Sequence, residues 1–327
     1  MNHIYFKYLN ANKLSNLLEN LWRWITFSVK NHENSTCMPI FLSIETSSVC
    51  NLSCPECAVG QGRTLRYNHL LTLETFRYII DQTASTLLHV QLYFQGEPLL
   101  NNQIGAMIQY AHNHRIMTTL STNAMLLTPK IAQTLIDTGL DKLIVSLDGT
   151  TQQTYEIYRQ GGILNQVLQN VHTLTQLKRQ KGTNHPIVET QMIVFHHNEH
   201  QINDFRRLST EIGADQMVLK SAQIYNFSEK ASQIPTNKKY ARYVFRNNHW
   251  QIKRTPHRLC RRIYSGLVVD CDGNLLPCCF DKRPSHILGN IADSTIREVW
   301  NGNTLAAFRS KVLKNRTSID ICNNCTE

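Results

Sequence analysis

From residue 41 to residue 219 the chain alternates between two hydrophobic rhythms. Short apolar or β-branched runs at 41–46, 89–94, 117–120, 143–147, 188–195 and 216–219 read as strands. Between them, over 73–87, 104–114, 129–138, 150–159, 163–180 and 204–212, polar and apolar positions are spaced as a helix requires. Thr72, with Glu74 in the first turn, is a helix-capping signal, and Pro129 with Gly139 brackets another helix. Six strand–helix units in tandem predict an α/β fold, a parallel sheet with right-handed crossovers. Barrel folds built from such units place their chemistry just after the C-terminal ends of the strands.

The flanks follow other patterns. Leu14, Leu17, Leu18, Leu21, Ile25 and Val29 repeat at helical spacing, with Trp22, Trp24 and Phe27 interleaved and Lys13, Arg23 and Lys30 beside them. The segment is too short and, with Asn16, Glu19 and Asn20, too polar to span a bilayer. Packing against the outside of the barrel is the expectation. Peripheral contact with a membrane face through residues 14–29 is the alternative, since tryptophan and basic residues suit the headgroup zone. Residues 221–256 read as an irregular connector containing Pro235, Lys238 and Lys239. A hairpin is expected over 267–278 with Asp272-Gly273-Asn274 at its tip, followed by helices near 294–300 and 303–314. The resulting division is 1–40 (amphipathic helix), 41–220 (barrel), 221–256 (connector) and 257–327 (a small hairpin-plus-helix domain).

With 327 residues, 42% hydrophobic, the chain can bury a barrel-sized core. Its net charge of +10 comes from dispersed cations without an RNA-binding signature, so no nucleic-acid partner is expected. No signal peptide opens the sequence, and the ten cysteines cluster in CxxC-type spacings, so metal rather than disulfides is expected, in the cytoplasm.

Cys50, Cys54 and Cys57 form CxxxCxxC directly after the first strand. Three thiolates can hold three irons of a cubane cluster and leave the fourth open, which is the arrangement of a chemical site rather than an electron carrier. Cys260, Cys278, Cys322 and Cys325 make a second set of four, able to hold a complete 4Fe–4S cluster or a tetrahedral zinc. Cys279 beside Cys278 leaves the local ligand open, and Cys37 and Cys271 are unassigned.

With Gly96-Glu97-Pro98, Thr122-Asn123, the run 145–149, Tyr158-Arg159, Gly273-x4-Cys278 and the tail around Leu288-Gly289-Asn290, these cysteines make the chain resemble radical S-adenosylmethionine (SAM) enzymes with a C-terminal SPASM or Twitch extension. It resembles the single-auxiliary-cluster Twitch dehydrogenases, which implies an open, partial (β/α)6 barrel followed by a small hairpin-plus-helix iron–sulfur domain. The resemblance implies a 4Fe–4S cluster on Cys50, Cys54 and Cys57 whose open iron binds SAM, and one auxiliary 4Fe–4S cluster. It further implies SAM contacts from Gly96, Glu97, Thr122 and Ser146, a bidentate Arg159 on the SAM carboxylate, and bracing roles for Asn123 and Asp148. Glu56 stands where the family often has an aromatic residue.

The implied activity is reductive cleavage of SAM to a 5′-deoxyadenosyl radical that abstracts hydrogen from an unactivated C–H bond. The leading version is two-electron oxidation of a small hydroxylated or sugar-like substrate. Alternatives are epimerisation, with Cys271 or Cys279 returning a hydrogen atom, and modification of a ribosomally made peptide. A flavodoxin or ferredoxin would supply electrons. The non-enzymatic alternative is an iron–sulfur electron carrier or zinc scaffold. Lys220 is the substrate-binding candidate, with His196, His197, Tyr93, Arg261 and Arg262 as further residues near the barrel mouth.

Overall fold

Residues 7–26, 36–62, 69–254 and 259–326 are described by the computed structural model. The six expected strands are β1 (Phe41–Ile44), β2 (His89–Gln91), β3 (Met117–Thr122), β4 (Lys142–Ser146), β5 (Ile187–Val194) and β6 (Gln216–Ser221). They lie side by side in chain order, every pair parallel. The sheet does not close, because β6 forms one edge. Five α-helices cover the sheet's outer side: α2 (Leu73–Thr83), α3 (Ile104–Asn113), α4 (Pro129–Asp137), α6 (Leu164–Gln180) and α7 (Ile202–Glu211). A short helix, α5 (Gln152–Tyr158), follows β4. Thr72, Thr128 and Thr151 each accept a bond from a first-turn amide, so the cap expected at Thr72 forms and two further threonines cap their helices in the same way.

The C-terminal hairpin is not a detached unit. Its strands, β9 (Gly266–Val269) and β10 (Asn274–Leu276), turn at Gly273, whose φ of +81° suits glycine. β9 pairs in parallel with β1, Leu267 opposite Leu42, and β11 (Gly289–Asn290) extends the edge beyond β10. The barrel sheet and the hairpin are one nine-stranded sheet among the described residues. Trp300 and Val299 of α8 (Ile296–Asn301) and Leu305 of α9 (Asn303–Asn315) join the same hydrophobic core as Leu42, Phe76 and Leu143.

Two expectations are corrected. The connector is not wholly irregular: Tyr243–Arg246 (β7) and His249–Ile252 (β8) form an antiparallel hairpin. Asn247 and Asn248 form its turn with φ of 50° and 62°, the geometry of a type I′ turn.

The N-terminal helix, α1 (Ala11–Ile25), does pack on the protein body, but through the opposite face from the one its leucines suggest. Its buried residues are Lys13, Asn16, Asn20 and Arg23. Lys13 Nζ donates to Arg115 O (2.6 Å), and Asn16 exchanges two bonds with the backbone of Met38. Asn20 Nδ2 donates to Met38 O (2.9 Å), and Arg23 Nη1 donates to Asn301 Oδ1 (3.0 Å). The helix was expected to run on through Phe27 and Val29, which lie with Lys30 outside the described residues. Among the described residues no helix is long and apolar enough to cross a membrane.

Candidate active site

A cavity of about 260 Å³ opens at the C-terminal ends of β1 to β4. Cys50, Cys54 and Cys57 line one side of it, on the loop that leaves β1. Polar hydrogens from this loop and its neighbours point at sulfur: Leu52 N–H donates to Cys50 Sγ (3.5 Å), as does Asn123 Nδ2 (3.9 Å), and Arg159 Nη1 donates to Cys54 Sγ (3.8 Å). Burial pushes the Cys50 thiol up to about 11 and raises that of Cys54 against the pull of Arg159. Bare thiols in this setting stay neutral, and a bound metal would deprotonate them. Among the described residues no three His, Cys, Asp or Glu side chains converge on a point that one metal ion could occupy. Three thiolates on one short loop at the cavity wall are a donor set that suits a cluster with one open iron.

Gly96 ends the segment after β2 and presses on the cysteine loop. A Cβ there would lie 2.1 Å from Ser47 O and 2.6 Å from Val49 O, both backbone atoms. Gly96→Ala is expected to push the cysteine loop outward, destabilising the protein by about 1–3 kcal/mol. Denaturant unfolding and the yield of reconstituted cluster would check this.

Glu97 is buried, and both carboxylate oxygens are engaged. Oε1 accepts from Thr122 Oγ1 (2.7 Å) and Leu99 N (3.1 Å), and Oε2 accepts from Asn123 N (2.8 Å). Burial raises its pKa and these three donors oppose the rise. Glu97 thus ties the β2 loop to the β3 loop at the cavity wall, a bracing role not anticipated from sequence.

Arg159 and Ser146 also line the cavity. Arg159 Nε donates to Asp148 Oδ2 at 2.6 Å, with the aspartate fully buried. Burial works against the guanidinium's charge, and the Asp148 carboxylate together with Cys54, Tyr158 and Tyr155 more than offsets that, raising the pKa. Asp148 Oδ1 in turn accepts from Ile193 N (2.6 Å), fixing the β4 loop to β5.

The second cysteine set also gathers. Cys322 lies within electrostatic reach of Cys260 and Cys325, and Cys278 within reach of Cys260. Burial pushes the Cys322 thiol up to about 11, and the buried Arg316 works the other way. Arg316 Nη2 also donates to Cys325 Sγ (3.2 Å), placing a cation beside this group. The thiol of Cys278 is raised first by its hydrogen bond with Cys279 and then by burial. Cys279 also accepts from Arg262 Nη1 (3.5 Å) and stands near Tyr93.

The remaining cavity wall holds residues that sequence reasoning passed over. Lys282, four residues beyond Cys278, reaches in from the C-terminal region, its Nζ 5.4 Å from the centre of the Tyr225 ring. Gln95 Nε2 donates to Lys282 O (2.7 Å), while Gln95 Oε1 is buried with no hydrogen-bond partner. Glu56 lines the cavity too, ion-paired with Lys230 of the connector and accepting from Tyr225 N (3.4 Å). Of the substrate candidates, Tyr93 lines the cavity. Lys220 does not: it is exposed on β6 and absent from the cavity lining, so Lys282 is the lysine found there. His196 pairs with Glu199, His197 stacks on Phe195, and Arg261 is exposed. Cys271 Sγ donates to Glu45 O (3.1 Å), and neither it nor Cys279 lines this cavity.

A family model described as the radical SAM superfamily matches residues 44–208, and one described as an iron–sulfur cluster-binding domain, SPASM, matches residues 260–326. Among curated proteins, an AdoMet-dependent heme synthase of Methanosarcina barkeri is 30% identical over 121 residues, 37% of this chain and 34% of that protein. The match thus spans about a third of that relative's length. Mycofactocin maturase MftC of Mycobacterium tuberculosis is 21% identical over 319 residues, 91% of this chain and 78% of that protein. Among solved structures, Streptococcus suis SuiB bound to S-adenosylmethionine superposes with a TM-score of 0.66 at 15% identity, covering 96% of this chain and 75% of SuiB. BtrN in complex with AdoMet and 2-DOIA gives a TM-score of 0.55 at 19% identity, covering 89% of this chain and 94% of BtrN. Similarity at this level speaks for the fold.

Proposed function

Because this chain belongs to the radical SAM superfamily and carries a SPASM iron–sulfur domain, we propose that it oxidises a small hydroxylated, sugar-like molecule by two electrons. Its cofactors are S-adenosylmethionine, a 4Fe–4S cluster and auxiliary iron–sulfur. In this reading Cys50, Cys54 and Cys57 hold the SAM-binding cluster, and Cys260, Cys278, Cys322 and Cys325 hold one auxiliary cluster. When bound, these groups supply reductive cleavage of the sulfonium to methionine and a 5′-deoxyadenosyl radical that takes a hydrogen atom from carbon, and an acceptor for the electron left behind. A flavodoxin or ferredoxin would deliver the initiating electron.

The protein's own residues bind and orient. Gly96, Thr122 and Ser146 line the cavity beside the cysteines and are proposed to contact SAM, with Glu97 holding two of those loops in register. Arg159 presents its remaining donors to the SAM carboxylate while Asp148 holds the guanidinium in place. On the opposite wall, Lys282, Gln95 and Tyr93 would receive the substrate.

One observation carries the small-polar reading. Gln95 Oε1 is a buried acceptor with no partner in the protein, and such an atom is costly unless a ligand hydroxyl or amine donates to it. Modification of a peptide is the second reading. It is favoured by the two-stranded hairpin of β7 and β8, which stands apart from the main sheet as a potential strand-docking edge.

The test is label transfer. Reconstituted, reduced protein would be given SAM with carbon-deuterated polyols and aminocyclitols, or with deuterated peptides. Deuterium in 5′-deoxyadenosine, with a ketone product from a polyol, is the expected outcome. Gln95→Leu should raise the KM for that polyol about tenfold while leaving SAM cleavage intact. Label from peptides alone would replace the first reading with the second.

A further inference from the structure

Helix α1 is built inside out relative to an ordinary surface helix. Its polar residues Lys13, Asn16, Asn20 and Arg23 are 5% exposed or less, and each makes a hydrogen bond to the body. Leu14, Leu18, Leu21, Trp22 and Ile25 fall along the other face and are between 39% and 61% exposed. Holding five large apolar side chains in water is unfavourable, and rolling the helix to bury them would break the polar contacts that seat it. A contiguous exposed apolar stripe of this kind marks a contact surface.

We propose that α1 is an interfacial docking helix that lays this face on an anionic lipid bilayer. Charge favours that occupant. The only acid in the helix is Glu19, and it is paired with Arg23. Exposed Arg115 stands at the helix's N-terminal end, where Lys13 bonds Arg115 O and Arg115 bonds Lys7 O, while Lys7 Nζ is itself paired with Asp141 (2.8 Å). The whole chain carries +10, the sign that an anionic leaflet attracts. Trp22, the most exposed of the five, suits the headgroup boundary.

Area argues against a second copy of this chain. A helix of 15 residues is about 22 Å long, and a stripe about 10 Å wide covers about 220 Å². Pairing two such faces buries about 450 Å², well short of the roughly 1,200 Å² at the lower end for a stable specific pair. A bilayer needs no matching partner surface, only apolar side chains at the right depth.

The experiment is co-sedimentation of the full chain with phosphatidylcholine vesicles containing roughly one-third phosphatidylglycerol, against phosphatidylcholine alone. The wild-type protein is expected to bind the anionic vesicles, less tightly as salt rises. L18E/W22E should reduce the partition coefficient about tenfold or more. Both positions are exposed and outside the cavity, so circular dichroism and SAM cleavage should match wild type. If the double variant does not fold, Leu18→Ser alone serves, with a smaller loss expected. Failure of the wild-type protein to bind anionic vesicles, or equal binding by the variants, overturns the proposal. So does a wild-type dimer that these substitutions dissociate, with no vesicle binding, since the face would then belong to a second copy.

Discussion

Cys54→Ala is expected to bring SAM cleavage to background while leaving the protein folded and holding roughly half of its iron, about four atoms per chain in place of about eight. The expectation follows from ligand counting. An open cubane on three thiolates has no spare protein ligand, so losing one leaves too few to retain it. Cys54 is also the thiol toward which Arg159 Nη1 points. The companion substitution acts on the other set. Cys325→Ala should lower iron by a similar amount yet preserve SAM cleavage, and it should stop substrate oxidation at the step that requires an electron acceptor. Iron and zinc per chain, 5′-deoxyadenosine yield and ketone yield, measured on both variants after anaerobic reconstitution, separate the two roles. Full SAM cleavage by the Cys54 variant would sink the assignment, and zinc retained at the second set would make that set structural.

Part of this architecture was legible because it is written locally. The strand–helix alternation survives with boundary shifts of a few residues, since each unit buries one face and exposes the other. That Cys50, Cys54 and Cys57 share one cavity wall was legible for a different reason: residues three and four apart on one loop stay close together. The hairpin of β7 and β8 was missed although its signal is present, two Asn residues between runs rich in aromatic and β-branched side chains.

Other features have no local signature. The parallel pairing of β9 with β1 joins residues more than two hundred positions apart, and nothing near Leu267 announces Leu42 as its neighbour. Periodicity identified α1 as a helix but could not say which face docks, because buried hydrogen bonds from Asn16 and Asn20 outweigh the usual preference. Lys282 reaches the cavity only because the hairpin extends the barrel sheet, whereas Lys220 ends on the exposed side of β6.

The Arg159–Asp148 pair gives the largest expected stability effect. Asp148 is fully buried and Arg159 nearly so. Arg159→Met removes the cation and leaves the carboxylate without its charge partner, with Ile193 N–H still donating to Oδ1. Breaking a buried pair from one side costs about 3–5 kcal/mol, because the remaining charge has lost both water and counter-ion. Removing both charges should not. In D148N/R159M the asparagine oxygen can still accept from Ile193, so most of the loss should be recovered, giving a coupling of about 1–3 kcal/mol in a double-mutant cycle. Recovery of stability should not restore function. Arg159 lines the cavity and donates toward Cys54, so the folded double variant should bind SAM weakly, and cleavage should fall with it. Urea unfolding of the two single variants and the double variant, beside SAM titration of each, distinguishes the two contributions. If Arg159→Met alone unfolded at the wild-type urea concentration, the pair would not be what holds the β4 loop against the cysteines, and Asn198 Nδ2 on Asp148 O would be the contact left to do so.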